Sequence, residues 1–557
     1  MVLSFELDSW CESVENQYGK DKNKMDNRAE AVLINQTDLG NIQNVNQPLA
    51  PEDDLGEMKK KEKRFQAFGI GSFLYALFYT FCLYHNASGI TYPFFAGGTL
   101  LFFGYFIKKS ESSSAEGKSG SSKSHISKKF LMICIVVAGM LNCTTDSDTL
   151  IFFNKLLMVV LMGVLLLQCW HDLTGWSVMA YIKGVMTMLF GCINNIFTSI
   201  GDMMAVRRLF RINSQKRKIS PDSRRILVSV AIGLLIAMPV AAFILILLAS
   251  ADAVFYKLIC DTLTFQLDID LFDNLGTAVG IGMSVIIVFT LCYGLFAYNT
   301  DPQNIKIIDG MAERDAANLD TYIAATVNGV MCMIYLLFSG IQIFGLFLGK
   351  MTLPEGYTYS SYARHGFFEL VFVCLFNIML VLFTLAYFKN SFILKILLTI
   401  ICGCTYIMTI SSAYRMLLYI SSYQLTFLRL FVLWALVVIA LVMTGVLVYV
   451  HNPGFSLFRY GLVVLTIGWL SFSALHPDYW IASYNIMAGE EGQDYDDYYL
   501  RKRLSLDAVP AIPEEIYNNE SSIYYRRAEL YQRECSGLTG VRKFNFSRDY
   551  AVRKIDI

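Results

Sequence analysis

The sequence is poor in charge and has no net excess of either sign. Only 17% of its 557 residues are Asp, Glu, Lys or Arg, and 46 basic residues balance 46 acidic ones. A balanced chain lacks the basic field that nucleic-acid binding needs, so we predict no nucleic-acid partner. Hydrophobic residues make up 55% of the chain, and the mean hydropathy is +0.45. This content is too apolar for an ordinary soluble fold and indicates a protein embedded in a lipid bilayer.

Motifs for catalysis and metal binding are also missing. The chain has no Gly-x-Ser-x-Gly elbow, no His-Glu-x-x-His pair and no dinucleotide fingerprint after a strand. Gly117-Lys118-Ser119 resembles the end of a phosphate loop, but it lies in a Ser-rich stretch with no strand before it. Most of the 13 cysteines lie inside apolar runs, where a thiol behaves as a small hydrophobic group. We therefore predict no disulfide framework, no metal site and no cofactor.

Long apolar runs are what the sequence has in abundance. A membrane-spanning helix needs about 20 mostly apolar residues to cross about 30 Å of hydrocarbon. The runs that approach this length cover residues 67–84, 90–107, 130–143, 149–169, 226–248, 275–298, 322–349, 367–386, 393–417, 428–450 and 458–475. The sequence thus predicts an all-α integral membrane protein with roughly eleven transmembrane helices in one bundle. Run 130–143 is short and run 149–169 contains Lys155, so whether both cross the membrane stays open.

Polar segments divide the chain into regions. We predict a disordered cytoplasmic region at 1–66, two transmembrane helices at 67–107 and a Ser/Lys-rich linker at 108–129. A short transmembrane hairpin and a basic interfacial segment follow at 130–225, then the main bundle at 226–475 and a small, polar, Tyr-rich tail at 476–557. Basic residues just before the first run predict a cytoplasmic N-terminus in a plasma membrane. An odd number of crossings then predicts an extracellular tail.

The segment from Arg207 to Arg225 is basic and partly amphipathic. We predict an interfacial helix whose cations contact anionic lipid headgroups, since each cation near such a surface gains about 1 kcal/mol. The ordinary preference of cytoplasmic loops for Lys and Arg explains the same residues equally well.

Several short motifs carry a resemblance to a known family. They include Leu248–Asp252, Tyr335–Phe338 with Ile341-Gln342, Leu353–Tyr359, Tyr362–Leu370, Ser412–Met416, Leu425–Arg429, Pro477–Ala482 and Leu506–Pro510. Over roughly residues 225–515 the chain resembles the bacterial polytopic membrane family known as domain of unknown function 4173, which is related to domain of unknown function 4153. The resemblance implies membership of the family and no particular activity. His365 and His476 depart from the pattern, which has Arg and Asn there.

A candidate polar site lies at or near the ends of the predicted helices. Its residues are Arg364, His365, Glu369, Tyr414, Arg415, Gln342 and Asp252. A carboxylate and a guanidinium near the membrane boundary stabilise each other, so we hypothesise an ion pair between Arg415 and Glu369. The alternative is purely structural, because Glu in a first turn suits the helix dipole and Arg near a helix end reaches the interface.

The remaining polar candidates also have two interpretations. Asp252 follows run 226–248 and could cap the next helix or line an entrance. Gln342, Asn328 and Asn377 lie within apolar runs, where amides usually form hydrogen bonds between helices but can also line a pore.

Three functional classes remain. A transporter or permease-like carrier would need a water-accessible cavity that reaches residues such as Arg415, Gln342 and Asn377. A membrane sensor or assembly partner without turnover would depend on the tail and the Ser-rich linker. A membrane-embedded enzyme would need converging catalytic groups, and the spacing of His and Cys supplies none.

Overall fold

The computed structural model describes residues 52–113, 127–216, 270–344 and 367–555, apart from positions 172, 174, 175, 311–318, 390, 491–496, 519 and 537–539. Within these residues the chain is helical, and its β-type pairing is limited to one isolated bridge between Leu319 and Phe388. The chain divides after Glu57. Residues 52–57 are the first turns of α1, and every contact reported below lies in the second unit.

Residues 52–309 contain eight described helices. They are α1 (Glu52–Leu83), α2 (Thr91–Ser113), α3 (Lys128–Thr144), α4 (Asp148–Trp170), α5 (Val178–Asn194), α6 (Thr198–Lys216), α7 (Asp270–Asn299) and α8 (Pro302–Asp309). The last is short and begins at a proline, which suits a first helical position because proline has no N–H to donate. Its N-cap Asp301 accepts a hydrogen bond from the Gln303 amide.

The second half contains the rest of the bundle and a group of shorter helices. The long ones are α9 (Thr321–Gln342), α10 (Phe367–Tyr387), α11 (Phe392–Tyr423), α12 (Phe427–His451) and α13 (Leu457–Ala474). The shorter ones are α14 (Pro477–Glu490), α15 (Asp497–Lys502), α16 (Glu514–Tyr517), α17 (Ile523–Cys535), α18 (Gly540–Lys543) and α19 (Phe546–Ile555), with a 3-10 turn at Leu506–Ala508.

Eight helices in the described residues are long and apolar enough to cross a membrane, and nine if the bent pair α5 and α6 counts as one span. The protein is therefore a multi-pass helical membrane protein, as predicted, but the number eleven is not confirmed. Ten of the predicted runs correspond to helices, whereas run 226–248 lies outside the described residues. Helix α3 has only 17 residues. Helix α1 already begins at Glu52, so its basic residues before position 67 are helical rather than disordered.

The bundle has two ends, which the loops between helices define. At one end lie the connections 84–90, 145–147 and 424–426, and residues 476–555 pack onto these connections. We call residues 476–555 the cap and this end the cap end. The Met58 end of α1 lies at the opposite end, because α1 runs from there to Phe81 and Tyr84, whose carbonyls contact Arg542 of the cap.

The cap has a hydrophobic core that continues into the bundle. Buried side chains from the cap, such as Leu500, Val509 and Tyr524, form one cluster with Met416 of α11 and Leu436 of α12. The tail was predicted to be small, polar and Tyr-rich, and in the structure its apolar side chains form this core. Its apolar residues are spread between many Tyr and Arg residues, so their burial becomes evident only when the short helices pack together.

Candidate functional site

The predicted polar site is described only in part. Arg364, His365 and Asp252 lie outside the described residues. Gln342 ends α9, and its side-chain oxygen accepts hydrogen bonds from Ser411 Oγ at 2.6 Å and from Arg415 Nη2 at 3.1 Å. Gln342 and Arg415 are therefore brought together, as members of one site should be.

The remaining described candidates lie on α10 and α11. Glu369 is exposed in the first turn of α10, and among the described residues no hydrogen bond or ion pair joins its carboxylate to Arg415. Tyr414 is 42% exposed on α11, whereas its neighbour Arg415 is only 7% exposed. The guanidinium of Arg415 thus contacts Gln342 rather than the hypothesised Glu369, because α9 packs directly against α11 at this level.

Polar side chains continue from this point along the contact between α9, α10 and α11. Asn377 donates a hydrogen bond to Thr405 Oγ1 at 2.9 Å, and Asn328 donates one to Thr384 Oγ1 at 3.2 Å. On α9 the buried positions 328, 332, 335, 339 and 342 recur every three or four residues, which places them on one helix face. We call Asn328, Ser339, Gln342, Asn377, Thr384, Thr405, Ser411 and Arg415 the polar stripe.

The polar stripe is closed to solvent in this structure. Asn377 is fully buried, Gln342 is 6% exposed and Asn328 is 1% exposed. The side-chain oxygens of Asn328 and Asn377 and the hydroxyl of Ser339 are buried without a hydrogen-bond partner among the described residues. Asn328 and Asn377 thus each donate a hydrogen bond to a neighbouring helix, while their side-chain oxygens accept none among the described residues.

A second cluster lies where the cap meets the bundle. Asp146, in the connection between α3 and α4, is 2% exposed. Its carboxylate accepts hydrogen bonds from Arg527 Nη1 at 2.8 Å and Arg548 Nε at 2.5 Å, and from the Leu506 amide at 3.1 Å. A buried carboxylate with two guanidinium partners and an amide donor is a fully paired buried charge.

Asp507 joins the same cluster from the cap. It is 5% exposed and accepts hydrogen bonds from the Asp146 amide at 2.8 Å, from Thr145 Oγ1 and from Ser547 Oγ. His476 Nδ1 lies 3.4 Å from its Oδ2. Asp146 and Asp507 therefore bind each other's chain segments reciprocally, Asp507 through the backbone of 146 and Asp146 through the backbone of Leu506.

The junction between α13 and the cap contains two titratable groups. Burial raises the pKa of Asp478 to about 6, and its carboxylate accepts a hydrogen bond from the Ser505 amide at 3.1 Å. The hydrogen bond to Asp507 raises the pKa of His476. His476 also has a φ of 48°, a left-handed conformation that strains a residue other than glycine. We call Asp146, Asp478, Asp507, His476, Arg527 and Arg548 the cap-end charge cluster.

Two buried asparagines attach the cap to the other bundle loops. Asn545 Nδ2 donates to the carbonyls of Ser88 at 3.0 Å and Thr145 at 2.9 Å, so one amide joins two loops. Asn485 pairs with both backbone groups of Leu425, each at 2.9 Å. A Cβ at Gly89 would lie 2.1 Å from the Arg542 carbonyl oxygen, so loop and cap approach this closely only because residue 89 is glycine.

A third polar group lies nearer the opposite end of the bundle. Arg64 of α1 binds Asp202 of α6 through two hydrogen bonds, at 2.6 Å from Nε and 2.8 Å from Nη2. The Tyr293 hydroxyl of α7 donates to the same carboxylate at 2.6 Å. Asp202 is 1% exposed. The carboxylate of Asp202 thus connects three helices.

Sequence reasoning missed the cap-end charge cluster. In the sequence, Asp146 lies in the short turn between runs 130–143 and 149–169, and Asp478 and Asp507 lie within the family motifs Pro477–Ala482 and Leu506–Pro510. The available signal was an acidic pair, Asp146 and Asp148, facing a tail rich in Arg. Position along the chain cannot pair residues about 360 apart, so the contact required the tertiary structure. No group of three or more His, Cys, Asp or Glu side chains among the described residues is arranged to hold a metal ion.

The fold defines a multi-pass α-helical membrane protein with a folded cap at one end. The model of the family described as "Domain of unknown function (DUF4153)" matches residues 132–515, more than half of the chain, and the chain belongs to this family. The matched region begins in α3 and includes Asp146, the polar stripe, Asp478 and Asp507. The resemblance to the related 4173 family stays a prediction. No curated protein and no solved structure matches the chain.

Proposed function

We propose that this protein is a membrane sensor or assembly protein without catalytic turnover, in which the cap couples the helix hairpins beneath it. The observation that supports this proposal is the set of cap contacts. Asn545, Asp507 and Asn485 bind three separate connections between membrane helices. A rearrangement of any hairpin therefore changes contacts in the cap, and a partner bound to the cap would bias the hairpins in return.

Hydrogen exchange tests the coupling in the purified full-length chain. We expect Asn545→Ala to raise exchange in all three connections, 84–90, 145–147 and 424–426, although Asn545 contacts only the first two. Asn518→Ala is the matched control, because Asn518 is also in the cap but bonds only to the exposed Glu514. Faster exchange confined to 84–90 and 145–147 would mean that the cap does not couple the hairpins.

The same proposal includes an orientation, with the N-terminus in the cytoplasm of a bacterial cell and the cap outside. The short connections 84–90, 145–147 and 424–426 at the cap end contain Asp146 and no Lys or Arg. Basic residues gather at the opposite end instead, among them Lys59, Lys60, Lys61, Lys63, Lys108, Lys128, Lys129, Lys306, Lys389 and Lys395. This asymmetry supports a cytoplasmic opposite end. Arg207 and Arg208, exposed on α6, would then face anionic lipid headgroups of the inner leaflet.

A carrier for a small polar solute is the second candidate, and the polar stripe favours it. Arg415 lies eight residues before the end of α11, or about 12 Å along the helix axis. Polar residues inside a helical bundle are candidate pathway residues. The closed packing of the stripe does not supply the water-accessible cavity that transport requires, so this candidate depends on a second, open conformation.

Thiol labelling separates the two candidates. Asn377→Cys, in native membranes, would react with a membrane-impermeant thiol reagent if water reaches the stripe during a transport cycle. The unsubstituted chain provides the background from its own cysteines, of which Cys374 is fully buried one helical turn away. Labelling above this background would favour the carrier, and background labelling would favour the sensor or assembly protein.

A further inference from the structure

An apolar groove runs between α1 and α7 toward the cap. It has a volume of about 220 Å³ and is lined by Leu77, Thr80, Phe81, Tyr84, Ile281, Val285 and Arg542. Both helices are among those long and apolar enough to cross a membrane. Phe81 and Leu77 are 64% and 44% exposed, so the groove opens on the surface that faces lipid. Away from the cap its walls are mostly apolar side chains, and at its cap end lies the guanidinium of Arg542.

A polar recess of about 560 Å³ lies beside the end of this groove. Its lining residues are Leu83, His85, Asn86, Ala87, Ser88, Glu534, Lys543 and Arg548. The two spaces are neighbours in the fold, because Leu83 and Lys543 line the recess while the adjoining residues Tyr84 and Arg542 line the groove. The apolar groove and the polar recess thus lie side by side near the C-terminal end of α1.

Two buried polar atoms at this place have no partner among the described residues. Ser88 is 2% exposed and its Oγ, in the wall of the recess, makes no hydrogen bond. Arg542 donates from Nη1 and Nη2 to the carbonyls of Phe81 and Tyr84, which is an ordinary way to cap a helix C-terminus. The buried Nε of Arg542 has no hydrogen-bond partner among the described residues. A hydroxyl and an N–H donor therefore remain available to an acceptor.

The charges around the recess favour an anion. Arg542, Lys543 and Arg548 are cationic, whereas Glu534 is the anionic group in the lining. Lys543 Nζ lies 3.6 Å from Glu534 Oε2, too far for a strong hydrogen bond, and that carboxylate is 52% exposed. Arg548 uses Nε for Asp146 and Arg542 uses its terminal nitrogens for carbonyls, so Lys543 is the most adaptable cation here.

We propose that the groove and recess together bind one anionic phospholipid, with an acyl chain between α1 and α7 and the phosphate near Lys543, Arg542 and Ser88. A phosphate oxygen suits Lys and Arg cations and a hydroxyl donor. An acyl chain suits a groove of Leu, Phe, Ile and Val, and only a molecule with both parts fills both spaces. The site is distinct from the basic segment at Arg207–Arg225, and its argument does not depend on the proposed sensor function.

The test uses the full-length protein in nanodiscs of phosphatidylcholine doped with phosphatidylglycerol, and counts bound lipids by native mass spectrometry. Lys543→Gln and Ser88→Ala each remove a phosphate contact, and Val285→Trp fills the groove. We expect each variant to bind phosphatidylglycerol about tenfold more weakly. Lys502→Gln is the matched control, because Lys502 is a cap lysine that contacts the Ser521 carbonyl away from the recess. Unchanged thermal unfolding midpoints show that the variants remain folded.

Four results would overturn the proposal. Equal retention of phosphatidylcholine and phosphatidylglycerol would mean that the charges do not select the ligand. Unchanged binding in Val285→Trp would mean that no acyl chain occupies the groove. Displacement of phosphatidylglycerol by millimolar inorganic phosphate would identify the recess as a site for a free anion rather than for a lipid. If Lys502→Gln weakened phosphatidylglycerol binding as much as Lys543→Gln, the loss would reflect the net charge of the cap rather than a contact with the phosphate.

Discussion

Buried polar groups are paired differently at the cap end and in the interior of the bundle. At the cap end, Asp146 and Asp507 are charged or charge-paired groups bound by Arg, hydroxyl and backbone donors. Along the polar stripe, most members are amides and hydroxyls, and those on α9 and α10 such as Asn328, Gln342 and Asn377 form side-chain hydrogen bonds to a neighbouring helix. Loops at the cap end can deliver several long cationic side chains to one carboxylate, whereas a charge on a helix surrounded by lipid is costly, so neutral amides and hydroxyls predominate there.

The difference indicates which contacts hold the molecule together. Removing one partner from a paired buried charge leaves the other uncompensated, which is strongly destabilising. Removing one amide from a helix contact in a membrane has a small effect, because the unfolded helices find other partners. Substitutions at the cap end should therefore reduce stability strongly, whereas substitutions in the polar stripe should have little effect.

Asp146→Ala is expected to have the largest effect. It leaves Arg527 and Arg548 without their shared carboxylate and should reduce stability by about 3–5 kcal/mol. The measurement is the thermal unfolding midpoint of the purified chain, together with protease cleavage within the cap. Asp148→Ala is the control, because its side chain is 78% exposed and has one contact at 3.3 Å. Equal losses in both variants would remove the distinction between the buried cluster and its surface.

A pH effect at the same junction is expected to be somewhat smaller. Asp478 changes from a pKa of 3.8 to about 6 on burial, which corresponds to about 3 kcal/mol. Because burial raises the pKa of Asp478 and the hydrogen bond to Asp507 raises that of His476, the folded form binds more protons at these two positions. The stability that Asp478 contributes is thus fully present below pH 3.8 and is lost as the pH rises through 6, and the contribution of His476 is lost as the pH rises above 6.5.

Asp478→Asn isolates this pH dependence. The charged and titratable groups that face Asp478 and His476 are Asp146, Asp507, Tyr499 and Tyr524. We expect the unsubstituted chain to unfold at a lower temperature at about pH 8 than at about pH 5, and the Asn variant to lose most of this difference because its amide does not ionise. An unchanged difference would assign the pH response to other groups.

Asn377→Leu tests the tolerance of the polar stripe. The substitution removes the hydrogen bond to Thr405, but also the unpartnered Asn377 oxygen, so we expect a loss of about 1 kcal/mol or less. Reversible unfolding in mixed detergent micelles measures it. Met379→Leu, at a position 68% exposed on the same helix, serves as the control. A loss as large as that of Asp146→Ala would show that the stripe carries stability comparable to that of the cap end.

Arg533→Ala is expected to have the smallest effect. Arg533 pairs with Glu529 one turn earlier on α17, at 2.5 Å, but its side chain is 73% exposed. Exposed pairs of this spacing contribute about 0.3–0.5 kcal/mol, so the unfolding midpoint should hardly change. A marked drop in the unfolding midpoint would mean that the exposed face of the cap also contributes to its docking.

Sequence reasoning located most of the helices but few of their contacts. The apolar runs gave helices close to their true bounds, although α11 continues to Tyr423 beyond the expected end at 417. The candidates Gln342 and Arg415 lie within hydrogen-bond distance of each other in the structure, and the function of this site stays a prediction. The sequence indicates the depth of a residue along its own helix but not which neighbouring helix it meets, so it did not single out the Gln342–Arg415 contact.

The sequence alone determined that this chain lies in a bilayer, because runs of about 20 apolar residues must satisfy their backbone amides by forming helices in lipid. That requirement is local, so it can be read from consecutive residues. Only the tertiary structure decided that the Tyr-rich tail is a folded cap, that Asp146 lies between Arg527 and Arg548, and that α1 and α7 leave a groove ending at Arg542. These features depend on residues hundreds of positions apart, whose pairing is set by packing rather than by any local pattern.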